Sequence, residues 1–530
     1  MSKKVIGPAV LVVGCAGVAA LALSATPAPS SRGVTLASAA AAPGAGACSQ
    51  LRDLKLADVR ITAADPVSAD QTFAFPSSAF NMMAGPNPSV SKTAFCRVAA
   101  VLDTEIEMEL WLPQDWNGRF LGVGNGGLTG AINYPMMRDG LAHGFATAST
   151  DTGHKVPAAF TGMFDSAWVA GHPQRVVDFG HRGHHRMAEV SKAIVAAYYG
   201  QRAKYNYYSG CSSGGWQGFT EAQKYPGDYD GIVAGAPAFN FIKLQTRSLW
   251  LAQQSASDPA GDLGPAKSQI LVAAALARCD SQDGVKDGVM DPSRCDFDPA
   301  QLQCAGAGGD SCLTPAQVAR ARLIYGPAHT KAGMSLYPGS AYGAPAPLDV
   351  SNPLGTRRPM IAEVMAGTEL EGVMTPATFD ADRDTPRIES RIGKDLSSYD
   401  PDLKAFNARG GKIVMYHGWA DPLLSPYNSI AYVQSVDAKM GQAARTSFLR
   451  LFMVPGMGHC AGGPGTDTFD GLAAVQAWVE HGQAPPTLAA SHMTKGVADR
   501  TRPLCQYPQV AVYKGSGSTD DAANFACRKA

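Results

Sequence analysis

The 530-residue chain has no surplus of either charge: 45 lysines and arginines stand against 45 aspartates and glutamates, and charged residues make up only 17% of it. A nucleic-acid binder shows a basic excess or a basic block, and neither is present. Nor is the chain charge-rich and poor in aliphatics, as a disordered protein would be, since 45% of its residues are hydrophobic. It has no internal repeat, and beyond the N-terminus no apolar run is long enough to cross a bilayer. These absences leave a globular protein. The length suits about three domains of roughly 150 residues, or one large α/β unit with an insertion. Either would bury on the order of three quarters of the unfolded surface.

What is present begins with Lys3 and Lys4, which precede an uncharged apolar run from Val5 to Leu23. Small-residue sites follow at Ala22-Leu23-Ser24 and Ala37-Ser38-Ala39. This is the layout of an export signal. A retained anchor is disfavoured by the glycine and alanine content of the run and by the lack of a stop-transfer charge cluster after it. Val12-Val13-Gly14-Cys15 resembles a lipobox, so a lipid tether at Cys15 is the alternative to free release, although the apolar run continues well past Cys15. Residues 24–46 read as a flexible spacer. The expectation is a secreted or periplasmic protein with no membrane span in its mature form. Leaving out Cys15, ten cysteines remain: Cys48, Cys96, Cys211, Cys279, Cys295, Cys304, Cys312, Cys460, Cys505 and Cys527. An even number in an exported chain implies up to five disulfides. The pairs 279/295, 304/312 and 505/527 close short loops and are the natural first guess.

Strand-like stretches occur at 98–102, 107–112, 119–123, 205–209, 232–235, 412–416 and 448–454, and helical stretches of ten or more residues alternate with the later ones. That rhythm predicts a mainly parallel, doubly wound α/β sheet. It fails between about 240 and 403, where four cysteines, an aspartate-rich loop and a Pro/Gly-rich tract occur. The organisation expected is therefore signal and spacer over 1–46, core over 47–239, an inserted lid over 240–403, and core again over 404–530.

Gly210-Cys211-Ser212-Ser213-Gly214 has the form G-x-S-x-G between a strand and a helix, the context of a nucleophile elbow. The glycines allow the sharp turn that projects Ser212 from the sheet, and the helix start offers unpaired N–H groups to developing negative charge. Ser213 supplies the amide after the nucleophile. The glycine turn at 124–127, with Gly126 and Gly127, lies where a second oxyanion donor is expected. A serine nucleophile needs an acid and then a base further along the chain. Asp421 follows the 412–416 strand and His459 follows the next one. His417 competes as base but precedes the acid, and is read as pocket lining. A Cys211–Cys460 bridge would tie the nucleophile loop to the histidine loop across some 250 residues, worth about 4 to 5 kcal/mol in the chain-entropy picture. The alternative, Cys211 as nucleophile, is disfavoured because the motif centres on Ser212.

Asp280, Asp283 and Asp287, with glycines between them and the carbonyls of Val285 and Val289, are hard oxygen ligands at short spacing that suit a structural calcium ion, although the spacing is not that of an EF-hand. His181, His184 and His185 read as a helix-surface cluster rather than a zinc site.

Gly-Cys-Ser-Ser-Gly-Gly, His-Gly-Trp-Ala-Asp and Gly-Met-Gly-His-Cys together resemble the tannase and feruloyl esterase family, which also holds mono(2-hydroxyethyl) terephthalate hydrolase. The resemblance covers roughly residues 45–530. It implies an α/β-hydrolase core with an inserted lid, a triad at Ser212, Asp421 and His459, a site disulfide at Cys211 and Cys460, and a lid calcium loop at Asp280, Asp283, Val285, Asp287 and Val289. It also implies the bridges 48/96, 279/295, 304/312 and 505/527. The lid departs from the family pattern, leaving Arg357, Arg358, Arg383 and Arg387 as unranked candidates for a substrate carboxylate. The expected activity is hydrolysis of carboxylic esters of small aromatic acids. The alternatives are a terephthalate monoester hydrolase and a catalytically silent, calcium-stabilised binding protein on the same scaffold.

Overall fold

Nine strands pair into one sheet: β1 (Val59–Val67), β2 (Phe95–Leu102), β3 (Ile106–Pro113), β4 (Arg119–Val123), β5 (Ala146–Thr150), β6 (Tyr205–Cys211), β7 (Gly231–Gly235), β8 (Lys412–Gly418) and β9 (Leu449–Val454). Their order across the sheet is β1-β2-β3-β5-β4-β6-β7-β8-β9. The first three and the β3–β5 pair are antiparallel, and every pair from β5 to β9 is parallel. The description rests on a computed structural model and covers residues 45–73, 89–156, 163, 165–306, 308–344 and 377–529. The export signal with Cys15, and Arg357 and Arg358, lie outside the described residues.

The sequence dictates this layering. Strand β2 alternates between buried and half-buried positions, as an antiparallel strand with one face on a core does. Strands β5 and β7 are buried at every position, as parallel strands covered on both faces must be. Four helices do the covering: α1 (Tyr134–Ala142), α2 (Gly183–Tyr199), α3 (Ser213–Lys224) and, late in the chain, α9 (Gly471–His481). Two apolar clusters result. One holds Val98, Met108, Ile194, Trp216 and Phe219, and the other Trp111, Met137, Phe145, Val475 and Trp478. This is the α/β-hydrolase arrangement.

Strand β5 has the sequence Ala-Thr-Ala-Ser-Thr and no apolar run, so hydrophobic patterning overlooks it. The structure gives its hydroxyls internal partners: Thr147 donates to the Met137 carbonyl (3.2 Å), Ser149 to Val123 (3.3 Å) and Thr150 to Glu107 (2.8 Å). Satisfied hydroxyls can be buried at little cost.

The insertion leaves after β7 and returns before β8. It carries α4 (Phe241–Ser257), α5 (Gly264–Cys279), α6 (Pro315–Tyr325) and α7 (Ala381–Leu396). It has a small core of its own, including Leu251, Leu271, Phe297, Leu313 and Ile324, while Phe241 and Ile242 of α4 and Ile388 of α7 join the main core. After β8 come α8 (Pro426–Met440), β9 and α9, then two hairpins, β10 (Thr487–Thr494) with β11 (Val497–Cys505) and β12 (Gln509–Tyr513) with β13 (Phe525–Lys529). Five disulfides close: 48–96, 211–460, 279–295, 304–312 and 505–527. They are the pairs the resemblance implied.

Helix α3 lies so near β7 that a Cβ on Gly215 would sit 2.3 Å from the Gly235 carbonyl oxygen. Backbone cannot yield there as a side chain can. Gly215→Ala should therefore destabilise the protein by about 1–3 kcal/mol, the usual penalty of overpacking, read as a shift of the urea-unfolding midpoint. An unchanged midpoint would mean that α3 has room to move off the sheet.

Candidate active site

Ser212 sits between β6 and α3 with φ 64° and ψ −121°, a conformation that non-glycine residues rarely take. Such strain costs on the order of 1–3 kcal/mol and persists only where the surroundings enforce it. Here the Ser212 amide donates to the Gly235 carbonyl (2.9 Å), and the Ser212 carbonyl accepts from Trp216 (3.0 Å) and Ala238 (3.2 Å). Close approach makes small residues necessary: a Cβ on Gly210 would meet the backbone of Gly214 at 2.7 Å, and one on Gly214 the Asn125 carbonyl at 2.9 Å.

Asp421 lies past the end of β8 and His459 past the end of β9. His459 Nδ1–H donates to Asp421 Oδ2 at 2.7 Å, which leaves Nε2 as the basic nitrogen. Asp421 Oδ1 accepts from the amides of Leu423 (2.8 Å) and Leu424 (3.0 Å). The two loops are stitched together, with the Trp419 amide donating to Val454 and the Ala420 amide to Met457, each at 2.9 Å. Burial of Asp421 opposes ionisation, but electrostatic attraction to His459 and the hydrogen bonds from His417 and His459 outweigh it, holding the carboxyl well below the usual aspartate range. The Cys211–Cys460 disulfide, with Cα atoms 5.9 Å apart, joins the residue before Ser212 to the residue after His459. No hydrogen bond joins the Ser212 hydroxyl to His459, whose bond to a described residue is the one from Nδ1 to Asp421.

His417 is 1% exposed and its ring is fully engaged: Nδ1 accepts from the Ser429 hydroxyl (2.7 Å), and Nε2–H points at Asp421 Oδ2 (3.2 Å) and the Leu424 carbonyl (3.3 Å). It stands behind the acid. The i, i+4 spacing of His417 and Asp421 was the available signal.

The 124–127 turn comes against the start of α3, where the Ser213 hydroxyl donates to the Gly127 carbonyl at 2.7 Å. The amides of Gly126, Gly127 and Ser213 donate to no described residue. A buried network fixes the turn from beneath. Asn125 donates to the carbonyls of Ala131 (2.7 Å) and Thr150 (2.8 Å), its amide donates to Gln217 Oε1 (3.0 Å), and its Oδ1 accepts from His184 Nε2 (2.6 Å). His184 is thus not on a helix surface; burial pushes its pKa down to about 3, so the ring is neutral. No local pattern announced Asn125, Gln217 or His184.

A strained serine at a helix start, a histidine–carboxylate pair and free amides beside the serine can together carry out acyl transfer. The profile described as "Tannase and feruloyl esterase" matches residues 90–528. The chain belongs to that family. It is 36% identical to the mono(2-hydroxyethyl) terephthalate hydrolase of Piscinibacter sakaiensis over 80% of this chain and 81% of that protein. It is 33% identical to a probable feruloyl esterase B-1 of Aspergillus flavus, over 91% and 95% respectively. The crystal structure of feruloyl esterase B from Aspergillus oryzae superposes with a TM-score of 0.83 at 30% identity, covering 91% of this chain and all of that one. This member of the tannase and feruloyl esterase family is a carboxylic ester hydrolase.

In this esterase the insertion reaches the acid loop. Trp419 packs edge-on to Tyr427 at 5.3 Å, the Tyr427 hydroxyl donates to the Pro292 carbonyl (3.3 Å), and the Ser425 hydroxyl donates to Gly339 (2.5 Å). Arg383 and Arg387, candidates for a substrate carboxylate, lie on α7 at 2.8 and 3.7 Å from Asp384. In the aspartate loop, Asp280 is 6% exposed and accepts from the amides of Asp287 and Gly288, with no cationic side chain among its described contacts. Asp287 Oδ1 accepts from the Val289 amide (3.2 Å), and its Oδ2 pairs with Arg502 (2.6 Å). Val285 and Val289 are buried. The side chain of Asp283 lies outside the described residues.

A carboxyl depressed as Asp421 is contributes stability that is complete above the ordinary aspartate pKa, about 3.9, and is lost as pH falls below it toward the lower native value. Asp421→Asn should therefore cost less at about pH 3 than at about pH 5. Urea-unfolding free energies of both proteins at each pH measure this. A gap that widens from about pH 5 to about pH 3 would contradict an ionised Asp421.

Proposed function

We propose that this esterase is exported and cleaves carboxylic esters of small aromatic acids through a Ser212–His459–Asp421 triad. The observation that carries the reading is the strained Ser212, tied through Cys211–Cys460 to a histidine whose other nitrogen is bound to a buried carboxylate. Ser212 Oγ attacks the ester carbonyl while His459 Nε2 takes its proton, and Asp421 stabilises the imidazolium without accepting that proton. The charge that develops on the carbonyl oxygen falls to the amides of Ser213, Gly126 and Gly127. Collapse of the adduct expels the alcohol, protonated by His459. Water, deprotonated by the same nitrogen, then releases the aromatic acid from the acyl-enzyme.

The feruloyl and terephthalate esters in the names of two relatives both place an aromatic ring on the acyl side, which supports the substrate class. The 36% identity to the terephthalate monoester hydrolase keeps that ester as the second reading. Ten cysteines paired in five disulfides support an oxidising compartment. Initial rates on methyl ferulate, methyl gallate, chlorogenate and mono(2-hydroxyethyl) terephthalate test the reading. At least one should turn over, with Ser212→Ala lower by about 10³-fold or more. Wild type and variant equally inert on all four would leave a binding protein on an esterase scaffold.

We also propose that the 280–289 loop holds a structural calcium ion. A buried Asp280 carboxylate with no cationic side chain among its described contacts is the chemistry such an ion satisfies, and Asp283, Asp287 and the Val285 and Val289 carbonyls would complete an all-oxygen set. Chelation should lower Tm, and added calcium should restore it in a concentration-dependent way. A melt indifferent to chelator would remove the ion from the folded state.

A further inference from the structure

Away from Ser212, a second group of side chains has the chemistry of metal ligands. His185 on α2, Glu221 on α3 and Asp228 in the turn before β7 bring one imidazole nitrogen and two carboxylate oxygens within 4.8 Å of one another. Proximity alone would be a hydrogen-bonded cluster. Glu221 makes it more than that: it is 1% exposed, and among the described residues no N–H and no neutral hydroxyl donates to either of its carboxylate oxygens. Burial and the neighbouring Asp228 charge push its pKa well above the usual glutamate range, so the carboxyl keeps a proton that it shares with Asp228 unless a cation takes that proton's place. Lys192 does not: its ammonium bonds the Asp228 carbonyl and Oδ1, each at 2.9 Å, and leaves Glu221 unbonded.

We propose that His185, Glu221 and Asp228 form a binding site for a divalent ion of the zinc class. An imidazole with two carboxylates suits zinc, whereas calcium and magnesium take oxygen ligands alone. His185 Nδ1 lies 2.6 Å from Asp228 Oδ2. Zinc bonds of about 2.0–2.2 Å set ligand atoms roughly 3.3 Å apart in a tetrahedron, so the pair opens slightly while Glu221 draws in. The surroundings already orient the ligands. The Tyr225 ring stacks on the His185 ring at 3.7 Å, Glu189 lies 3.6 Å from the outward Nε2, and Lys192 holds the other oxygen of Asp228. A carboxylate behind a ligating histidine is the usual supporting arrangement. Entry is from the His185 side, whose side chain is 24% exposed against 11% for Asp228. The bound ion clamps α2 to α3, the helix that begins at Ser213.

The test uses the full mature protein, stripped with chelator and dialysed against zinc at constant calcium. Elemental analysis should find about one zinc per chain, cobalt(II) in its place should give the visible absorption of a four-coordinate site, and zinc should raise Tm. His185→Ala and His185→Phe, the latter keeping the stack on Tyr225, should fold, keep esterase activity, and lose the zinc, the cobalt band and the Tm shift. Glu221→Gln should lose them too. Wild type that retains no zinc, or zinc content unchanged in both His185 variants, overturns the site. These readouts do not depend on the ester substrate.

Discussion

A single carboxylate, Asp421, organises the carboxyl ends of two strands. Leaving water disfavours its charge, and only donors that converge on it keep it ionised: His459, His417 and the amides of Leu423 and Leu424. Each donor is fixed by something else. His417 is held by Ser429, the two amides belong to the turn after β8, and His459 rides on a loop bonded to that turn at Val454 and Met457. The charge requires the geometry, and the geometry is rigid because removing any donor would leave a buried anion short of a partner. His417 therefore acts through Asp421, as a positioning residue.

The serine side is built differently, from strain and close approach rather than charge. Ser212 is kept in an unfavourable backbone conformation by hydrogen bonds to β7 and α3, and the glycines around it are there because backbone occupies the space a Cβ would need. Neither half determines where the other lies. Two covalently or sterically short links do: the Cys211–Cys460 bridge between nucleophile and base loops, and the Ser213–Gly127 hydrogen bond between the elbow and the glycine turn. Geometry set before substrate arrives is what makes such groups effective.

Much of this was legible in the sequence because the informative features are local. The G-x-S-x-G elbow, the acid and base each after a strand, and cysteines adjoining both are readable within a few residues. Other features needed the fold. Strand β5 is small and polar, and its burial depends on carbonyl partners from β3, β4 and α1. Asn125, His184 and Gln217 meet from three elements far apart in sequence. The histidines at 181–185 looked like one surface cluster, yet a helix turns their side chains to different sides: His184 toward the glycine turn, His185 toward Asp228.

The division of labour between core and insertion follows from the same packing. The core's catalytic candidates are anchored in the main sheet, whereas the insertion carries a separate apolar cluster stapled by two short-range disulfides. It touches the site through the loop and helix start that follow Asp421, by way of Tyr427, on which Trp419 packs, and Ser425. The hydrogen bonds that hold Asp421 and His459 come from residues 417–424 and 454–457 of the core, none of them in the insertion. That separation keeps the groups proposed for the chemistry in the core, and an insertion packed around its own apolar cluster can vary beside them.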